Sequence, residues 1–592
     1  MYKGLKFFLK CGWKYDKFYI VWRILYQIVS SLIPIAMTII PKFIIDEILG
    51  ERDIKKILTY ILLLTGYVAI ASILSEYFSM DGFSRRCHVS AEFDSELHRK
   101  LANADFENLE SPNFLDMQEK SKKFLYCDWH GFGYLFDCAL NIVGQILTMI
   151  GIIAIIASLN IWIIMIFIIF SILGTVIEAK QKRKAMSLSL QITADQRGWQ
   201  YYAQLFDDFN YGKEIRMNGL GEWLLSRERG YFTKVNKNLK EQNDTYIRAG
   251  IITNSFLFVE QTIAYVYLCW SVIEKTISIG SFTMYISAIT TFANSLRAIL
   301  DSFVEIKAYD LYYDQLDSYL SVPAKLREGG NKEVPEGNHE IVFEHVGFKY
   351  EGADVWALRD INLKIRPGEK IAIVGENGAG KSTFVKLLIR LYAPTTGKIL
   401  MDGVDIKDID YDKYMMLFST VFQDFRLFSF SIKENVVLAM PQNEEKVKEV
   451  LKCVGLEKKI ENLPEGIDTS VYKNFDEQGF EPSGGEAQKI ALARALYRES
   501  PIVILDEPTA ALDPKAELEL YEQFNNFLKG KTGIYITHRL ASAHFCDRII
   551  VFENGQILEQ GNQEELMNKK GRFFELFNMQ ARYYSKIEDE NR

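Results

Sequence analysis

No C-x-x-C pair and no metal-like spacing occurs among the seven cysteines (Cys11, Cys87, Cys127, Cys138, Cys269, Cys453 and Cys546), and their number is odd. That excludes a framework pairing every thiol and a cysteine zinc site, so the cysteines read as reduced and structural. Positive charge is also scarce. Against 77 Asp and Glu stand 69 Lys and Arg, a net charge of −8, which leaves no basic surplus to neutralise a phosphate backbone and argues against nucleic acid as a partner. A secretory cleavage site is missing too. Met1 to Lys17 starts like a signal peptide, but the apolar run behind it is long and carries no small-residue site, so an uncleaved, cytoplasmic N-terminus is expected.

What the sequence does have is two unlike halves. Its 592 residues exceed one ordinary domain. Apolar residues concentrate in the first 305 positions, whereas the remainder alternates short Val/Ile/Leu runs with charged helical stretches, as an α/β domain does. A bilayer-crossing helix needs about 20 mainly apolar residues, and six segments qualify, at about 18–43, 57–80, 134–158, 161–179, 247–271 and 281–304. The run Ile161-Trp162-Ile163-Ile164-Met165-Ile166-Phe167-Ile168-Ile169-Phe170 is too uniformly apolar to have a solvated face. Basic residues cluster at the ends that should lie inside: Lys3, Lys6, Lys10, Lys14 and Lys17 before the first span, Arg85 and Arg86 after the second, and Lys180, Lys182, Arg183 and Lys184 after the fourth. Both termini are then expected in the cytoplasm, in a plasma membrane.

The expected organisation is an all-α transmembrane domain of six helices over 1–320, a linker at 321–338 containing Arg327-Glu328-Gly329-Gly330-Asn331, a cytosolic α/β nucleotide-binding domain over 339–575 and a tail at 576–592. Outer connections such as Leu159-Asn160 are tiny; the inner ones at 81–133 and 180–246 exceed fifty residues and suit pairs of helical arms. Ser111-Pro112-Asn113 and Asn210-Tyr211-Gly212 punctuate them, leaving room for short contact helices or for ordinary caps and turns. Polar groups within the spans, Gln27, Asn141, Gln145, Asn254, Glu260, Gln261 and Asn294, are expected to face the bundle interior. Glu260 admits two readings, a cavity carboxylate for a cationic cargo group or a hydrogen-bonded packing residue.

The chemistry lies in the second half. Ile371-Ala372-Ile373-Val374 reads as a strand feeding Gly375-Glu376-Asn377-Gly378-Ala379-Gly380-Lys381-Ser382, which fits G-x-x-x-x-G-K-[ST]. Glycines there let backbone N–H groups close around phosphates, Lys381 reaches the outer phosphates, and the Ser382 hydroxyl meets Mg²⁺. A second apolar strand, Pro501-Ile502-Val503-Ile504-Leu505-Asp506-Glu507, ends in two carboxylates, one to hold Mg²⁺ (Asp506) and one to polarise the attacking water (Glu507). His538 follows the strand Gly533-Ile534-Tyr535-Ile536-Thr537 and can bond the γ-phosphate or that water. About a hundred residues after the glycine loop, Ser483-Gly484-Gly485-Glu486 opens a helix-like run, offering N–H donors to an anion.

With these motifs in this order, the chain resembles an ATP-binding cassette exporter half-transporter of the bacterial multidrug, lipid or lantibiotic type, along nearly its whole length. The resemblance extends the phosphate loop to Thr383 and identifies Val421-Phe422-Gln423-Asp424 as the Q-loop, Pro482-Ser483-Gly484-Gly485-Glu486 as the signature, Ala511-Leu512-Asp513 as the D-loop and His538 as the switch. It implies that Tyr350 stacks on adenine, that Gln423 senses Mg²⁺ and the membrane arms, and that Glu477 lies in a coupling loop. It also implies head-to-tail cassettes, so that Ser483, Gly484, Gly485 and Glu486 complete the ATP site of a second half-transporter. Pro482 and Glu486 depart from the family's usual Leu and Gln, which leaves a heterodimer open beside the homodimer. The residues ahead of the first span are too few for the peptidase domain of some peptide exporters. The expected function is ATP-driven export of an amphipathic modified peptide, lipid or hydrophobic drug; the alternative is an ATP-binding membrane sensor.

Overall fold

The computed structural model describes residues 2–125, 133–157, 161–328, 330–334, 337–507 and 528–580. Cys127, Leu159-Asn160, Gly329, the D-loop Ala511-Leu512-Asp513 and the tail beyond residue 580 lie outside them. Two units result, one of Met1–Ala104 with Asn108–Pro323, the other of Asp105–Glu107 with Ala324–Arg592.

The first unit is helical: α1 (Lys3–Tyr15), α2 (Lys17–Leu49), α3 (Ile54–Ala102), α4 (Phe106–Glu110), α5 (Pro112–Leu125), α6 (Tyr134–Ala157), α7 (Ile161–Gln191), α8 (Thr193–Asp207), α9 (Gly212–Met217), α10 (Gly221–Ile273) and α11 (Ile279–Leu320), the first two residues of α4 being counted with the second unit. Asp16 separates the first two, its carboxylate accepting from the N–H groups of Phe18 and Tyr19, and Asp53 caps α3 in the same way. Among the described residues α2, α3, α6 and α10 are each long and apolar enough to cross a membrane; the expected segments 161–179 and 281–304 lie on α7 and α11. Large apolar side chains point outward, Leu62, Ile73 and Phe258 being 69–71% exposed, as suits a surface solvated by lipid.

Two helices outrun the hydrocarbon. α3 continues 22 residues past position 80, and α10 begins 26 residues before position 247, lengths of about 33 and 39 Å at 1.5 Å per residue. These stretches are too polar for lipid, carrying Arg85, Arg86, Glu92 and Asp94 on one and Glu228, Lys237 and Asp244 on the other. The short α4 and α9 sit beside the expected breakers.

Aromatics fill one core of this unit, including Phe8, Tyr19, Phe93, Phe124, Phe136 and Tyr309. Charges inside it are paired: Asp137 accepts from Arg23 (2.6 Å) and Arg86 (3.3 Å), and Lys182 lies 2.9 Å from both Glu178 and Glu305. Glu260 is 2% exposed beside a void of about 20 Å³, bordered also by Ser171, Thr253 and Arg297. That space fits one water.

The second unit contains two sheets. One is antiparallel, formed by β1 (Ile341–Phe348), β2 (Leu358–Ile365), β4 (Thr396–Met401) and β5 (Val404–Asp405) in the order β2-β1-β4-β5. The other runs β10-β9-β3-β8-β7-β6, with β3 (Lys370–Gly375), β6 (Phe418–Val421), β7 (Ile502–Asp506), β8 (Thr532–Ile536) and β9 (Arg548–Glu553) parallel and β10 (Gln556–Gly561) antiparallel at its edge. The central strands are buried on both faces, which is why they read as unbroken apolar runs. Phe384, on the helix α12 (Lys381–Leu388) that follows β3, is fully buried and stacks on Phe343 at 4.6 Å, joining the two sheets in one core.

Candidate functional site

Register decides where the chemistry gathers. Ile373 of β3 pairs with Ile536 of β8, and Ile536 pairs with Asp506 of β7, so the glycine loop, the two carboxylates and His538 all emerge from the carboxyl ends of three adjacent parallel strands. There Glu507 and His538 line a cleft of about 440 Å³ together with Tyr350, Ala357, Asn377, Gly378, Gly380, Lys381, Ser382, Thr383 and Gln423, with Asp506 buried one residue behind Glu507.

The loop between β3 and α12 needs its glycines. At Gly375 (φ 150°) a Cβ would lie 2.3 Å from the Phe552 carbonyl oxygen, and at Gly380 (φ 103°) 2.7 Å from Leu358. Lys381 is 6% exposed, and its ammonium donates to the carbonyls of Gly375 and Glu376, both at 2.9 Å, curling over the loop. Burial lowers its pKa, against the raising effect of Glu507 and Asp506. Ala379 is buried behind the loop, and Thr383 is tied by its hydroxyl to that of Tyr350 at 3.0 Å, which fixes the ring beside the cleft.

Both oxygens of Glu507 are engaged. His538 Nε2 lies 2.8 Å from Oε1, and the Gln423 amide donates to Oε2 at 3.0 Å. Burial, together with the Lys381 charge, holds His538 below its usual range despite Glu507. A carboxylate oxygen at this distance accepts, so Nε2 donates its N–H to Glu507. Glu507 adopts φ 49°, in the left-handed region that residues other than glycine seldom occupy. The N–H of Glu507 donates to Ile536 and its carbonyl accepts from Gln488, which hold the turn. One residue earlier, Asp506 is 7% exposed, and burial, reinforced by the Glu507 charge, pushes its pKa up to about 6.

Ser483 to Glu486 stand apart from this cleft; none of them lines it. They open α17 (Gly484–Arg498), which follows α13 (Tyr411–Met416), α14 (Ile432–Val437), α15 (Glu444–Cys453) and α16 (Glu457–Glu461) in the second unit. Here Ser483 and Glu486 form a capping box: the carboxylate accepts from the Ser483 N–H and hydroxyl, both at 2.9 Å, and Lys459 pairs with it at 3.3 Å. Ser483 and Gly484 are solvent-exposed.

Comparison with known proteins now bears on the whole chain. Residues 358–510 match the family model for ABC transporters. The subtilin transport ATP-binding protein SpaT of Bacillus subtilis is 28% identical over 95% of this chain and 92% of its own length, and the nisin transport ATP-binding protein NisT of Lactococcus lactis is 26% identical over 98% and 96%. An ATP-dependent lipid A-core flippase of Acinetobacter baylyi is 30% identical over 69% of this chain and 70% of its own. The chain belongs to the ABC exporters. The structure of a bacterial Atm1-family ABC exporter with ATP bound shares the fold, with a TM-score of 0.81 over 95% of this chain and 98% of that one at 21% identity.

As an ABC exporter the chain is a multi-pass membrane protein that binds ATP and couples its hydrolysis to transport. The donors available to a divalent cation are the Ser382 hydroxyl, the Gln423 amide oxygen, left over once its nitrogen has bonded Glu507, and the Asp506 carboxylate. These are hard oxygen donors, a set that fits Mg²⁺. Among the described residues no group of three or more His, Cys, Asp and Glu is placed to hold a metal ion.

Three residues of this exporter's site escaped the sequence reading. Gln488 reaches Glu507 from α17. Arg572 bonds the loop residue Glu376 at 2.6 Å and Glu553 at 3.0 Å. Gln580, expected in the tail, accepts from the Leu540 N–H at 3.0 Å and donates to the His538 carbonyl. Only Gln488 left a signal, its place within the signature helix; the other two lie too far along the chain for spacing to reveal them.

Proposed function

We propose that this chain is one half of a homodimeric exporter that hydrolyses Mg²⁺-ATP and carries an amphipathic modified peptide out of the cytoplasm by alternating access. The observation that carries the reading is the separation of two half-sites in one chain: a cleft with phosphate loop, base and switch, and an exposed, ordered signature helix end that the cleft lacks. A second copy supplies each missing half. Peptide is favoured over lipid because two relatives that match nearly the whole chain are named for subtilin and nisin transport.

Within each cleft, loop N–H groups and Lys381 hold the phosphates, and Tyr350 stacks on the base. Ser382, Gln423 and Asp506 would hold Mg²⁺, which when bound neutralises phosphate charge. Glu507 takes the proton of the attacking water, while His538 and Gln423 keep its two oxygens in place. Closing two cassettes over ATP turns the membrane helices outward, and hydrolysis releases them. The complete Glu507, His538 and Gln423 arrangement favours this over a sensor that binds ATP without turnover.

The test expresses this chain alone, reconstitutes it, and measures native mass and Mg²⁺-dependent phosphate release. A dimer with steady turnover is expected. A monomer active only with a second, different half-transporter would replace the homodimer with a heterodimer, and absence of phosphate release with any cargo would favour the sensor.

A further inference from the structure

The helical segment 572–580, late in the second unit, is fixed at its start, along its middle and at its end. The first N–H groups of a helix have no partner inside it; here the two oxygens of Glu559 on β10 accept from the N–H groups of Arg572 (2.9 Å) and Phe573 (3.1 Å). Gly571 permits that approach, since a Cβ there would lie 1.8 Å from Glu559 Oε1 and displace the cap. The middle is apolar. Phe573 is fully buried in one cluster with Ala372 and Val374 of β3, Val551 of β9, and Leu540 and Ala543 from the chain that follows His538. One short helix thus packs against both the strand that feeds the phosphate loop and the segment that leaves the switch.

Each end adds a polar side chain. Arg572 sets three guanidinium nitrogens on three carboxylates, Glu376 at 2.6 Å, Glu575 at 2.9 Å and Glu553 at 3.0 Å, which a planar fork of donors can do and a single ammonium does poorly. Glu376 belongs to the phosphate loop, and its carbonyl accepts from the Lys381 ammonium. The guanidinium therefore grips the residue on which the phosphate-binding ammonium rests. About 12 Å further along the helix, at 1.5 Å per residue, Gln580 accepts from the Leu540 N–H at 3.0 Å and donates to the His538 carbonyl. Only an amide brings both an acceptor and a donor to that place. We propose that this helix braces the ATP site: Arg572 positions the phosphate loop through Glu376, and Gln580 positions the switch through the backbone of His538. Neither side chain lines the cleft, so both are positioning residues. This rests on the reading of Glu507 as base and His538 as switch, and adds to it the residues that fix where loop and switch stand.

The brace predicts a split between kinetic constants of the reconstituted full-length chain. Gln580→Leu keeps bulk and removes both hydrogen bonds, so kcat for phosphate release should fall about 10- to 10²-fold, as for a misplaced catalytic group, with the Kd for ATP within about twofold of the parent's. Arg572→Gln should do the reverse, raising that Kd about fivefold, a size usual within one ion-pair network, with kcat at saturating ATP retained. Because Arg572 acts through Glu376, E376A and E376A/R572Q should raise the Kd by the same factor as R572Q. Unaltered kcat in Q580L, or Kd effects that multiply in the double variant, overturns the brace. Equal losses of binding and turnover in Q580L, the mark of a general structural defect, overturn it as well. Absence of phosphate release by the parent chain refutes instead the reading of base and switch on which the brace rests.

Discussion

Replacing Glu507 with Gln alters both contacts of the side chain. The neutral amide keeps the shape but cannot accept a proton from water, and loss of a positioned base costs about 10²–10⁴-fold in rate, or about 3–5 kcal/mol of barrier. The neighbours sharpen the expectation. His538 Nε2–H, at 2.8 Å, requires the amide oxygen on its side. The amide nitrogen then faces the Gln423 nitrogen, now 3.0 Å from Oε2, donor against donor. Relief requires Gln423 to rotate, exchanging the oxygen available to Mg²⁺ for nitrogen. Glu507→Gln should therefore lower kcat for phosphate release by at least 10²-fold in reconstituted membranes, retain ATP binding within a few fold, and accumulate an ATP-bound dimer by native mass. Hydrolysis within threefold of the parent would refute Glu507 as the base.

Lys381→Ala should weaken ATP binding by more than tenfold in calorimetric titration, since it removes the buried charge that caps the loop; an unchanged Kd would remove Lys381 from the phosphate site. Glu486→Gln keeps an acceptor for Ser483 and loses only the pair with half-exposed Lys459, a change of about 0–1 kcal/mol. Its thermal midpoint and turnover should stay close to the parent's, and abolished hydrolysis would show that the carboxylate itself is required. Phe384→Ala empties the junction of the two sheets and should cost about 3–5 kcal/mol, visible as a lower melting temperature of the nucleotide-binding unit; an unshifted melt would contradict the packing. Asp137→Ala leaves Arg23 and Arg86 without their shared partner, at about 3–5 kcal/mol, and should lower the melting temperature in detergent more than Asp137→Asn does.

The sequence was most legible where function depends on local chain. The glycine loop, the Asp506-Glu507 strand end and His538 each announce themselves within a few residues, and sheet register brings the three together. Membrane helices were legible by apolar length and the arms by the length of the inner connections: α3 and α10 continue through these as helices after hydropathy falls, because helix persistence depends on backbone hydrogen bonds rather than on apolar content. Glu260 shows a limit. A carboxylate in an apolar run invites a cargo role, and only the size of the space beside it separates a binding site from packing. Arg572 and Gln580 were illegible for a second reason: Arg572 lies 196 residues from Glu376 and Gln580 lies 42 from His538, and no periodicity spans such distances.

The two hydrogen bonds of Gln580 give the end of the nucleotide-binding unit a part in setting the catalytic geometry. They hold the segment immediately after His538, whose imidazole in turn positions Glu507. Proteolytic clipping upstream of residue 580, or a fusion that pulls residues 572–580 away, would leave the phosphate loop, base and signature chemically intact while loosening the switch. Such a protein would still bind ATP, so retention on a nucleotide column is a poor quality control for preparations of this exporter, and turnover per bound nucleotide is the measure that detects damage to its far end.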